Sequence, residues 1–552
     1  MKNLFTLIFI FTCFNSFTQK KILDHSDFDI WNRIQSPQIA ADGNNLLYSI
    51  QTGEKDSKLI IKDKQGNLIF NHDRSENGVF TYDSKFTVFK IKAWKDSITE
   101  MKRRKVKKDK MPLDSLGIFN IDKLTLQKIS NIKSYKIPEK WSGFIAYTYE
   151  ILSGQKEKKN QDSEVSVKNK SSKKLKKPSS KNGYPLVIRN LDSSVEDTIP
   201  YVTNYTFSNK SESLAYTTTG IKDSIQAGVY LKNLKSNSIK HVYSSHDKAK
   251  YYKLSLSDSG KNLAFVVDAD STKSYNRPYE LYSWNFKNDK AKLVVNKSNS
   301  PKGYRVSSDG SLKFSGDETK LYFGLALPEI VQDTLLLDEE IVNVEVWTYD
   351  EPRLYTIQEM QLNNDKKKSF KTVFHFKDQK LIQIGSKEYP NSILTDDAND
   401  DYALVYSTEP YQLSSQWTGQ FSKNDLAIVN VNNGLSKLAI KGNPSPASLS
   451  PNGEYAYGYN QVDSTWYTYN IKTSKYIELT KGKMFYNELS DYPNHPRSYG
   501  AAGWTKNDKS ILIYDRYDIW EFNPDTGLNK RLTKGREKQT SYRYVKLDSE
   551  VK

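Results

Sequence analysis

The first chemistry to consider is serine hydrolysis, which needs a nucleophile, a base and an acid. Many serine hydrolases hold the nucleophile in a Gly-x-Ser-x-Gly turn, with Asp and His further along the chain. The 552-residue sequence contains no such turn, and the nearest stretch, Gly310–Gly316, has the wrong spacing. After Ser448 and Ser450 the only histidine is His495, in a predicted loop. The residues therefore predict no catalytic triad within this chain.

The sequence also contains only weak signals for a metal site, a cofactor site or a pair of catalytic carboxylates. The paired carboxylates at Asp396–Asp397, Asp400–Asp401 and Glu339–Glu340 could suggest a glycosidase, but acidic pairs in loops are usually solvated turn residues. The six histidines are scattered, and the only cysteine is Cys13, which disfavours a zinc site. Phosphate-loop, dinucleotide and zinc-protease motifs are absent. We predict no catalytic, cofactor-binding or metal-ligating residue and no cofactor.

The net charge of +17 is concentrated in two short segments. Residues 101–110 contain seven Lys/Arg and one Asp, and residues 156–182 contain ten Lys and three acids. Because the rest of the chain is close to neutral, solvated loops explain the charge better than a nucleic-acid surface does. We therefore predict no nucleic-acid partner.

The N-terminus has the pattern of a secretory signal peptide over residues 1–19. Lys2 precedes an apolar run from Leu4 to Phe14, and small polar residues follow. This run is too short for a transmembrane helix, and no internal run is long enough for one. A lipoprotein would be acylated at Cys13, but Thr12 precedes it where Gly or Ala is usual. The pattern predicts a secreted or periplasmic bacterial protein.

A repeated pattern of a small polar turn followed by an aromatic strand predicts the fold. It is clearest in Tyr499–Gly535, which is typical of strands separated by turns at Lys506–Lys509 and Pro524–Gly527. Similar copies occur at Ser36–Tyr48, Leu254–Phe265 and Ser448–Tyr457, and weaker ones at Phe207–Tyr216 and Phe314–Phe323. Their spacing of about 40–65 residues is typical of propeller blades. We predict an all-β propeller of four-stranded blades over residues 20–552.

Two insertions and one irregular stretch interrupt this pattern. The basic insertion 101–112 is expected to be a solvated helix or loop, with an anionic-partner patch as the alternative. The Lys/Ser-rich insertion 154–183 is expected to be flexible, because it has almost no apolar residues. Ile341–Gln361 predicts a strand and then a helix from Leu354. Within it Trp347 is expected to pack in the core, although Trp347 and Arg353 could alternatively line a ligand site.

These blade patterns resemble those of TolB-like and prolyl oligopeptidase propellers. Ser36–Tyr48 resembles the first blade of bacterial S9 family peptidases. The basic run ending in Met111–Ile118 resembles an insertion in large secreted S9 peptidases of the Bacteroidetes. Val344–Tyr349, with Pro352–Leu354 and Gln358 or Gln361, is similar to another segment of that group. The resemblance implies a propeller that covers an active site and restricts entry to short peptides.

In that family a C-terminal α/β-hydrolase domain carries Ser, Asp and His, and no such residues can be transferred to this chain. A strand-like stretch from Tyr542 to Leu547 lies just before Lys552, which predicts an incomplete last blade. We therefore expect the non-catalytic propeller part of an S9-like peptidase, inactive alone, with peptides or a separate hydrolase domain as partners. The alternative is a stand-alone TolB-like propeller that binds a protein or peptide. The blade number and the oligomeric state are left open.

Overall fold

The computed structural model describes residues 22–150 and 176–546, apart from residues 247, 273, 332, 334, 343, 345 and 419–422 and the side chain of Asp109. The predicted signal peptide and residues 154–175 of the Lys/Ser-rich insertion lie outside the described residues. The chain divides into two compact units. Unit 1 comprises Met1–Ile137 and Ser142–Asn160, and unit 2 comprises Pro138–Trp141 and Gln161–Lys552.

The described part of unit 1 consists mainly of antiparallel strands that pair in chain order. Strands β1–β4 form one sheet, β5–β8 form a second, and β9 and β10 form a hairpin. An α-helix, α1, lies between β6 and β7, and 3-10 turns occur at His25–Ile30 and Lys108–Lys110. The elements are β1 (Asn32–Ile39), β2 (Asn45–Thr52), β3 (Lys58–Asp63), β4 (Leu68–Asp73), β5 (Ser75–Phe80), β6 (Phe86–Ile91), α1 (Lys95–Arg103), β7 (Ser115–Asn120), β8 (Thr125–Ile129), β9 (Ile132–Lys136) and β10 (Phe144–Tyr149).

Unit 2 continues with further antiparallel sheets. Its strands begin with β11 (Tyr184–Asn190), β12 (Glu196–Phe207), β13 (Ser213–Thr218), β14 (Gly228–Asn233), β15 (Ile239–Tyr243), β16 (Lys250–Leu256), β17 (Asn262–Asp268), β18 (Glu280–Asn285), β19 (Lys292–Val295), β20 (Arg305–Val306), β21 (Lys313–Phe314), β22 (Lys320–Ala326), β23 (Phe370–His375) and β24 (Lys380–Gln383). They continue with β25 (Asn391–Ile393), β26 (Tyr402–Ser407), β27 (Asn424–Asn430), β28 (Ser436–Asn443), β29 (Ala447–Leu449), β30 (Tyr455–Asn460), β31 (Thr465–Asn470), β32 (Tyr476–Glu478), β33 (Ala501–Trp504), β34 (Ile511–Tyr514), β35 (Ile519–Phe522) and β36 (Asn529–Arg531).

These strands group into sheets along the chain. Strands β11–β15 belong to one sheet, in which the long β12 pairs with β11 along its first half and with β13 along its second. The following sheets are β16–β19, β20–β24, β25–β28, β29–β32 and β33–β36. Helices α2 (Tyr355–Lys366) and α3 (Gln412–Thr418) lie in connections between strands, and short 3-10 turns occur at Asp338–Glu340, Glu409–Tyr411, Lys506–Asp508 and Arg536–Lys538.

The second strand of a sheet is mostly buried, as β6, β17 and β22 show, because both of its faces are covered. In β17, Phe265 lies in an apolar cluster with Val229 of the preceding sheet. The next residue, Val266, points to the other face and lies in a cluster with Phe323 of the following sheet. The four-stranded antiparallel sheets with both faces packed are the blade unit of a β-propeller. The predicted all-β class with four-stranded propeller blades is confirmed.

The sequence repeat has a structural cause at the turn between the first two strands of a sheet. A Ser or Thr directly follows the first strand, and its hydroxyl accepts the backbone N–H five residues later at 2.9–3.1 Å. The residue three positions after it has a left-handed backbone, with φ between 52° and 72°. The hydroxyl residues are Thr81, Ser257, Ser315, Ser450 and Thr505, and Ala40 stands at the same position in the first sheet.

At Gly43 the free-energy cost of placing a side chain at a left-handed backbone position can be measured without any steric clash. Its φ is +72°, and a Cβ added there would meet nothing within 4 Å. We expect Gly43→Ala to lower the free energy of unfolding by about 1 kcal/mol, because an L side chain is strained at this φ. Gly43→Asn should cost less, since Asn tolerates this conformation. Urea unfolding checks both, and equal losses for Ala and Asn would contradict the backbone explanation.

The structure differs from the sequence-based predictions in three details. Val344 and residues 346–349 lie outside any described strand, so the strand predicted there is wrong. An alternating pattern becomes a strand only where it pairs with another strand, and none of these described residues is paired in a sheet. Residues 542–546 likewise contain no strand and cross over the last sheet, where the backbone N–H of Tyr544 donates to the Tyr514 hydroxyl at 2.9 Å. Residues 176–183, part of the insertion expected to be flexible, are hydrogen-bonded to β12 and to the loop after β13.

Candidate functional site

The long connections of unit 2 meet at one edge of its sheets. In an antiparallel meander, the connection between the second and third strands lies at the same edge as the chain that enters the first strand. The longest of these connections are 269–279, 327–369 and 408–423. We call this edge of the unit 2 sheets the connection edge. Because loops on a rigid sheet scaffold commonly carry binding residues, it is the first place to look for a site.

Connection 327–369 is unusual because it exposes apolar and acidic side chains together. Residues 329–351 contain eight Asp or Glu and no Lys or Arg. In the same stretch the described apolar side chains are largely open to solvent, with Tyr349 at 95% and Val346 at 72% exposure. The others are Ile330, Val331, Leu335, Leu336, Leu337, Val342, Val344 and Trp347. A run of exposed apolar residues of this length is typical of an interaction surface.

Helices α2 and α3 support this connection. The amide of Gln416 joins them, because it accepts the backbone N–H of Leu354 and donates to the Pro352 carbonyl, both at 2.6 Å. The Arg353 guanidinium donates to Gln361 at 2.9 Å and to Asp365 at 2.8 Å. Arg353 therefore fixes the start of α2.

Trp347 does not pack in the core as predicted. Its ring is 68% exposed and stacks on Tyr355, with ring centroids 5.0 Å apart. The prediction failed because the stretch around Trp347 forms no strand that would carry the ring into a sheet. The alternative, that Trp347 and Arg353 line a ligand site, stays a prediction.

We expect the triple variant Val344→Ser, Val346→Ser, Trp347→Ser to unfold at nearly the same temperature as the wild type. These side chains are exposed, and surface substitutions usually change stability by about 0.5 kcal/mol or less. Binding of a hydrophobic dye should fall, because an apolar surface is removed. Scanning calorimetry and dye fluorescence measure the two effects. A large loss of stability would show that the segment is packed, and Val373→Ser, in the buried strand β23, is the destabilised control.

A cavity of about 520 Å³ opens between sheets β29–β32 and β33–β36. Its volume lies in the range of small-molecule and peptide pockets. Aromatic and polar residues line it, and the polar ones come from β29 and from the connections that enter β29, β31 and β33. The lining includes Tyr457, Tyr459, Trp466, Gln461, Ser448 and Arg497. A smaller cavity of about 300 Å³ in unit 1 is lined by charged side chains, among them Asp56, Glu76 and Lys92.

Two separate ion-pair networks each fix one loop at the connection edge. In the first, the buried Asp268 accepts two hydrogen bonds from the Arg277 guanidinium, at 2.7 and 2.9 Å. Asp270 accepts the side-chain and backbone hydrogen bonds of Thr272, which lower the pKa of its carboxyl. These contacts fix connection 269–279, so the carboxylates serve the loop structure.

The second network is centred on Asp518, which is fully buried. Its carboxylate accepts hydrogen bonds from Arg531, from the Thr533 hydroxyl at 2.6 Å and from the backbone N–H of Arg536. The Arg536 guanidinium pairs in turn with Glu488 at 2.7 Å. Residues 535–538, which follow the last strand, are thereby fixed against the sheet.

The histidines and paired carboxylates of the sequence are found in structural contacts. Nε2 of His241 lies 3.1 Å from the Tyr243 carbonyl, and Nε2 of His375 lies 2.9 Å from that of Val431. Asp397 accepts from Asn399 and Asp401 from Asn432. In the described part of the chain, no group of three or more His, Cys, Asp or Glu is placed to hold a metal ion.

Stability is expected to fall between pH 7.5 and pH 5.5 because of His241. Burial and the nearby Lys290 lower the pKa of its imidazole below the ordinary value of 6.5. Because the imidazole has a lower pKa in the folded protein, the unfolded protein binds the proton more tightly. The contribution of His241 to the free energy of unfolding is therefore fully present above pH 6.5 and decreases as the pH drops toward the pKa of the folded state. The melting temperature at the two pH values measures this. His241→Gln should reduce the dependence, and an unchanged dependence in this variant would contradict the prediction.

The basic insertion 101–112 lies in unit 1. Helix α1 contains only its first three residues, and the described side chains of residues 102–105 are exposed. Glu100 pairs with Arg104 at 2.9 Å, one turn apart. Exposed side chains fit the predicted solvated helix or loop and the anionic-partner patch equally, so both stay predictions. No helix in the described ranges combines the length and the apolar character that a membrane span requires.

No protein-family model matches the sequence, and no curated protein matches it. Solved structures with a similar chain path include a eukaryotic initiation factor, at 11% identity and a TM-score of 0.40, with 82% of this chain and 89% of that chain covered. The propeller domain of the Trilobed protease from Pyrococcus furiosus matches at 11% identity and a TM-score of 0.30, covering 75% and 100%.

Dipeptidyl peptidase 4 of Porphyromonas gingivalis matches at 10% identity and a TM-score of 0.38. Here 96% of this chain corresponds to 64% of the peptidase. These likenesses are too distant to assign a function, and the fold assignment rests on the strands and their pairing.

Proposed function

We propose that this chain is the substrate-gating propeller portion of a secreted serine peptidase of the S9, prolyl oligopeptidase type. Three sequence motifs in the order typical of such peptidases support it: Ser36–Tyr48, the basic run before Met111–Ile118, and Val344–Tyr349. Successive four-stranded sheets supply the blades that such a portion needs. In this proposal the chain selects peptides and does not cleave them.

The observation that carries the proposal is the exposed apolar and acidic stretch 329–351 at the connection edge. Apolar side chains such as Val344, which is 68% exposed, are unfavourable in contact with water. A second domain that packed against this stretch would bury them. The partner would be an α/β-hydrolase domain that supplies the Ser, Asp and His absent from the motifs of this chain. The propeller would then limit entry to short peptides.

The first test asks whether the chain catalyses anything itself. The purified protein is incubated with a chromogenic proline-containing tetrapeptide and, separately, with a fluorophosphonate that labels activated serines. We expect neither hydrolysis nor labelling. Hydrolysis that the fluorophosphonate abolishes would overturn the proposal, because it would place the nucleophile within this chain.

The second test asks for gating. The DNA around this sequence is searched for an S9-type hydrolase domain, and a domain found there is assayed with and without the chain, on the tetrapeptide and on unfolded casein. We expect the chain to suppress cleavage of casein and to spare the tetrapeptide, and we expect the Val344→Ser, Val346→Ser, Trp347→Ser variant to do so less. Equal cleavage of both substrates with and without the chain, or the lack of any such domain in the genome, would contradict gating.

A second candidate function is a stand-alone TolB-like propeller that binds a protein or peptide in the periplasm. The cavity between the last two sheets favours it, because a ligand could bind there without a hydrolase domain. Saturable peptide binding together with a negative gating test would select this candidate over the first.

A further inference from the structure

The smaller cavity, of about 300 Å³, lies in unit 1, and neither candidate function uses it. It opens where the connection between β2 and β3 meets the chain between β6 and α1. Ala93 and Ile98 supply apolar surface. The charged residues that line it are Lys55, Asp56, Arg74, Glu76, Lys92 and Lys95. A cavity of this size and composition suits a small charged ligand with a short apolar part.

Three of these six charges already have ion-pair partners. Lys92 Nζ lies 3.3 Å from the Glu76 carboxylate and 3.0 Å from that of Asp114. Lys95 Nζ lies 2.9 Å from the carboxylate of Glu54, which is outside the lining. In the described part of the chain, the lining charges that form no ion pair are those of Arg74, Asp56 and Lys55. The cavity therefore presents unpaired charges of both signs.

The guanidinium of Arg74 is held in place but keeps donors for a ligand. Its central carbon lies 4.4 Å from the centre of the Trp94 ring, and one of its nitrogens donates to the Lys92 carbonyl at 2.8 Å. The backbone N–H of Lys92 donates in return to the Arg74 carbonyl at 2.8 Å. Because a guanidinium has five N–H donors, most of them remain, and a carboxylate can accept two of them in parallel.

The half-buried carboxylate of Asp56 is also held in place. Its two oxygens accept the backbone N–H of Lys95, at the start of α1, at 3.3 and 3.4 Å. The connection that carries Asp56 is fixed by the Gln51 amide, which donates to the Gly53 carbonyl at 3.2 Å and to the Lys55 carbonyl at 2.5 Å. An ammonium group on a ligand would supply the cation that this carboxylate lacks, and the fixed geometry lowers the entropy lost on binding.

We propose that this cavity binds a small zwitterion with one ammonium and one carboxylate group, as in a free α-amino acid or a dipeptide. Arg74 pairs with the carboxylate, Asp56 pairs with the ammonium group, and Ala93 and Ile98 contact the apolar part. Lys55, at an exposed position, stays in solvent at the rim. This site goes beyond the proposed function, since neither candidate function assigns a ligand to unit 1.

Calorimetric titration of the full chain with L-leucine tests the proposal. N-acetyl-leucine lacks the ammonium group and leucinamide lacks the carboxylate, so each should bind at least about tenfold more weakly than leucine, because each loses one charge-assisted pair. Leucyl-leucine, in which the two charges lie further apart, is titrated in parallel. Tighter binding of leucine would identify free amino acids as the ligands, and tighter binding of leucyl-leucine would identify dipeptides; either order supports the zwitterion site.

Two variants separate the roles of the two charges. Asp56→Asn keeps an oxygen for the backbone N–H of Lys95 and should bind leucine and N-acetyl-leucine about equally. Arg74→Gln should bind leucine and leucinamide about equally. Asp122→Asn and Arg103→Gln, the same changes at exposed positions in unit 1, should keep the wild-type preferences. The melting temperature of each variant shows whether it folds, and the comparison of leucine with its analogues on the wild-type chain needs no variant.

The zwitterion site would be overturned if neither leucine nor leucyl-leucine bound, if leucine bound no more tightly than its two analogues, or if folded Asp56→Asn and Arg74→Gln kept the wild-type preferences. Those results would leave the proposed function standing, because it is judged separately by the fluorophosphonate and gating assays.

Discussion

Replacing Asp518 with Ala is expected to lower the free energy of unfolding by about 3–5 kcal/mol, as when one partner of a buried ion pair is removed. Asp518 is 0% exposed, and its carboxylate faces the Arg531 guanidinium at 2.7 Å. The substitution would leave Arg531 with only its more exposed partner, Glu537. It would also remove the acceptor of the Thr533 hydroxyl and of the Arg536 backbone N–H.

The acid sensitivity of the same carboxylate gives this prediction a second measurement. Burial alone would raise the pKa of Asp518, but hydrogen bonds from Thr533, Gly535, Arg536 and Arg531 outweigh burial and hold the pKa below its ordinary value. A lowered carboxyl pKa contributes stability above the unfolded value of 3.8, and this stability is lost as the pH falls through the folded pKa. The Asp518→Ala variant should lose less stability than the wild type between pH 5 and pH 3.

Urea unfolding at pH 7 measures the main effect, and Asp289→Ala is the matched control. Asp289 is 88% exposed at its side chain and lies 3.8 Å from Lys240, so its loss should cost well under 1 kcal/mol. A similar small cost for Asp518→Ala would show that the network around Asp518 contributes little to stability.

The repeated turns could be predicted from the sequence because they depend on residues close together in the chain. The pattern at Ser448–Tyr457 contains the hydroxyl residue, Ser450, and the left-handed Gly453 that the turn needs. These local requirements recur in sheet after sheet, and each repeat marks the start of a second strand. The fold class therefore follows from the sequence, and the strand limits follow approximately.

The connections were harder to predict because their structure depends on distant partners. Val344–Tyr349 alternates like a strand, but a strand forms only beside a neighbour with free backbone groups. The partners of Asp518 come from residues 531–536. Asp518 pairs with Arg531, which lies 13 residues further along the chain. Nothing in the sequence around Asp518 indicates this partner.

The candidate cavity was missed for the same reason. Its lining residues come from three connections and from two sheets that are adjacent in chain order. Each residue alone has an ordinary explanation: Tyr457 and Trp466 fit strands, and Arg497 fits a polar loop. Only the packing of the two sheets brings the aromatic rings, the hydroxyls and the guanidinium together.

The turn shared by the last two sheets provides the second large prediction, since Asp508 serves two turns at once. Its carboxylate is 2% exposed, accepts the Ser450 hydroxyl at 2.5 Å and accepts the backbone N–H of Asn452 at 3.0 Å. Asp508 also occupies the left-handed position of its own turn, with φ at 52°. One side chain therefore links the turn of β29–β30 to the turn of β33–β34.

Asp508→Ala is expected to lower the free energy of unfolding by about 3 kcal/mol. Lost hydrogen bonds to a charged group account for about 2 kcal/mol, and left-handed strain on Ala for about 1 kcal/mol. Asp508→Gly removes the same carboxylate without that strain, so it should cost about 1 kcal/mol less than Ala. Ser450→Ala, which removes one of the donors, should cost about 1–2 kcal/mol. Urea unfolding ranks the three variants; equal losses for Ala and Gly would refute the backbone contribution, and losses below that of Ser450→Ala would refute the link between the two turns.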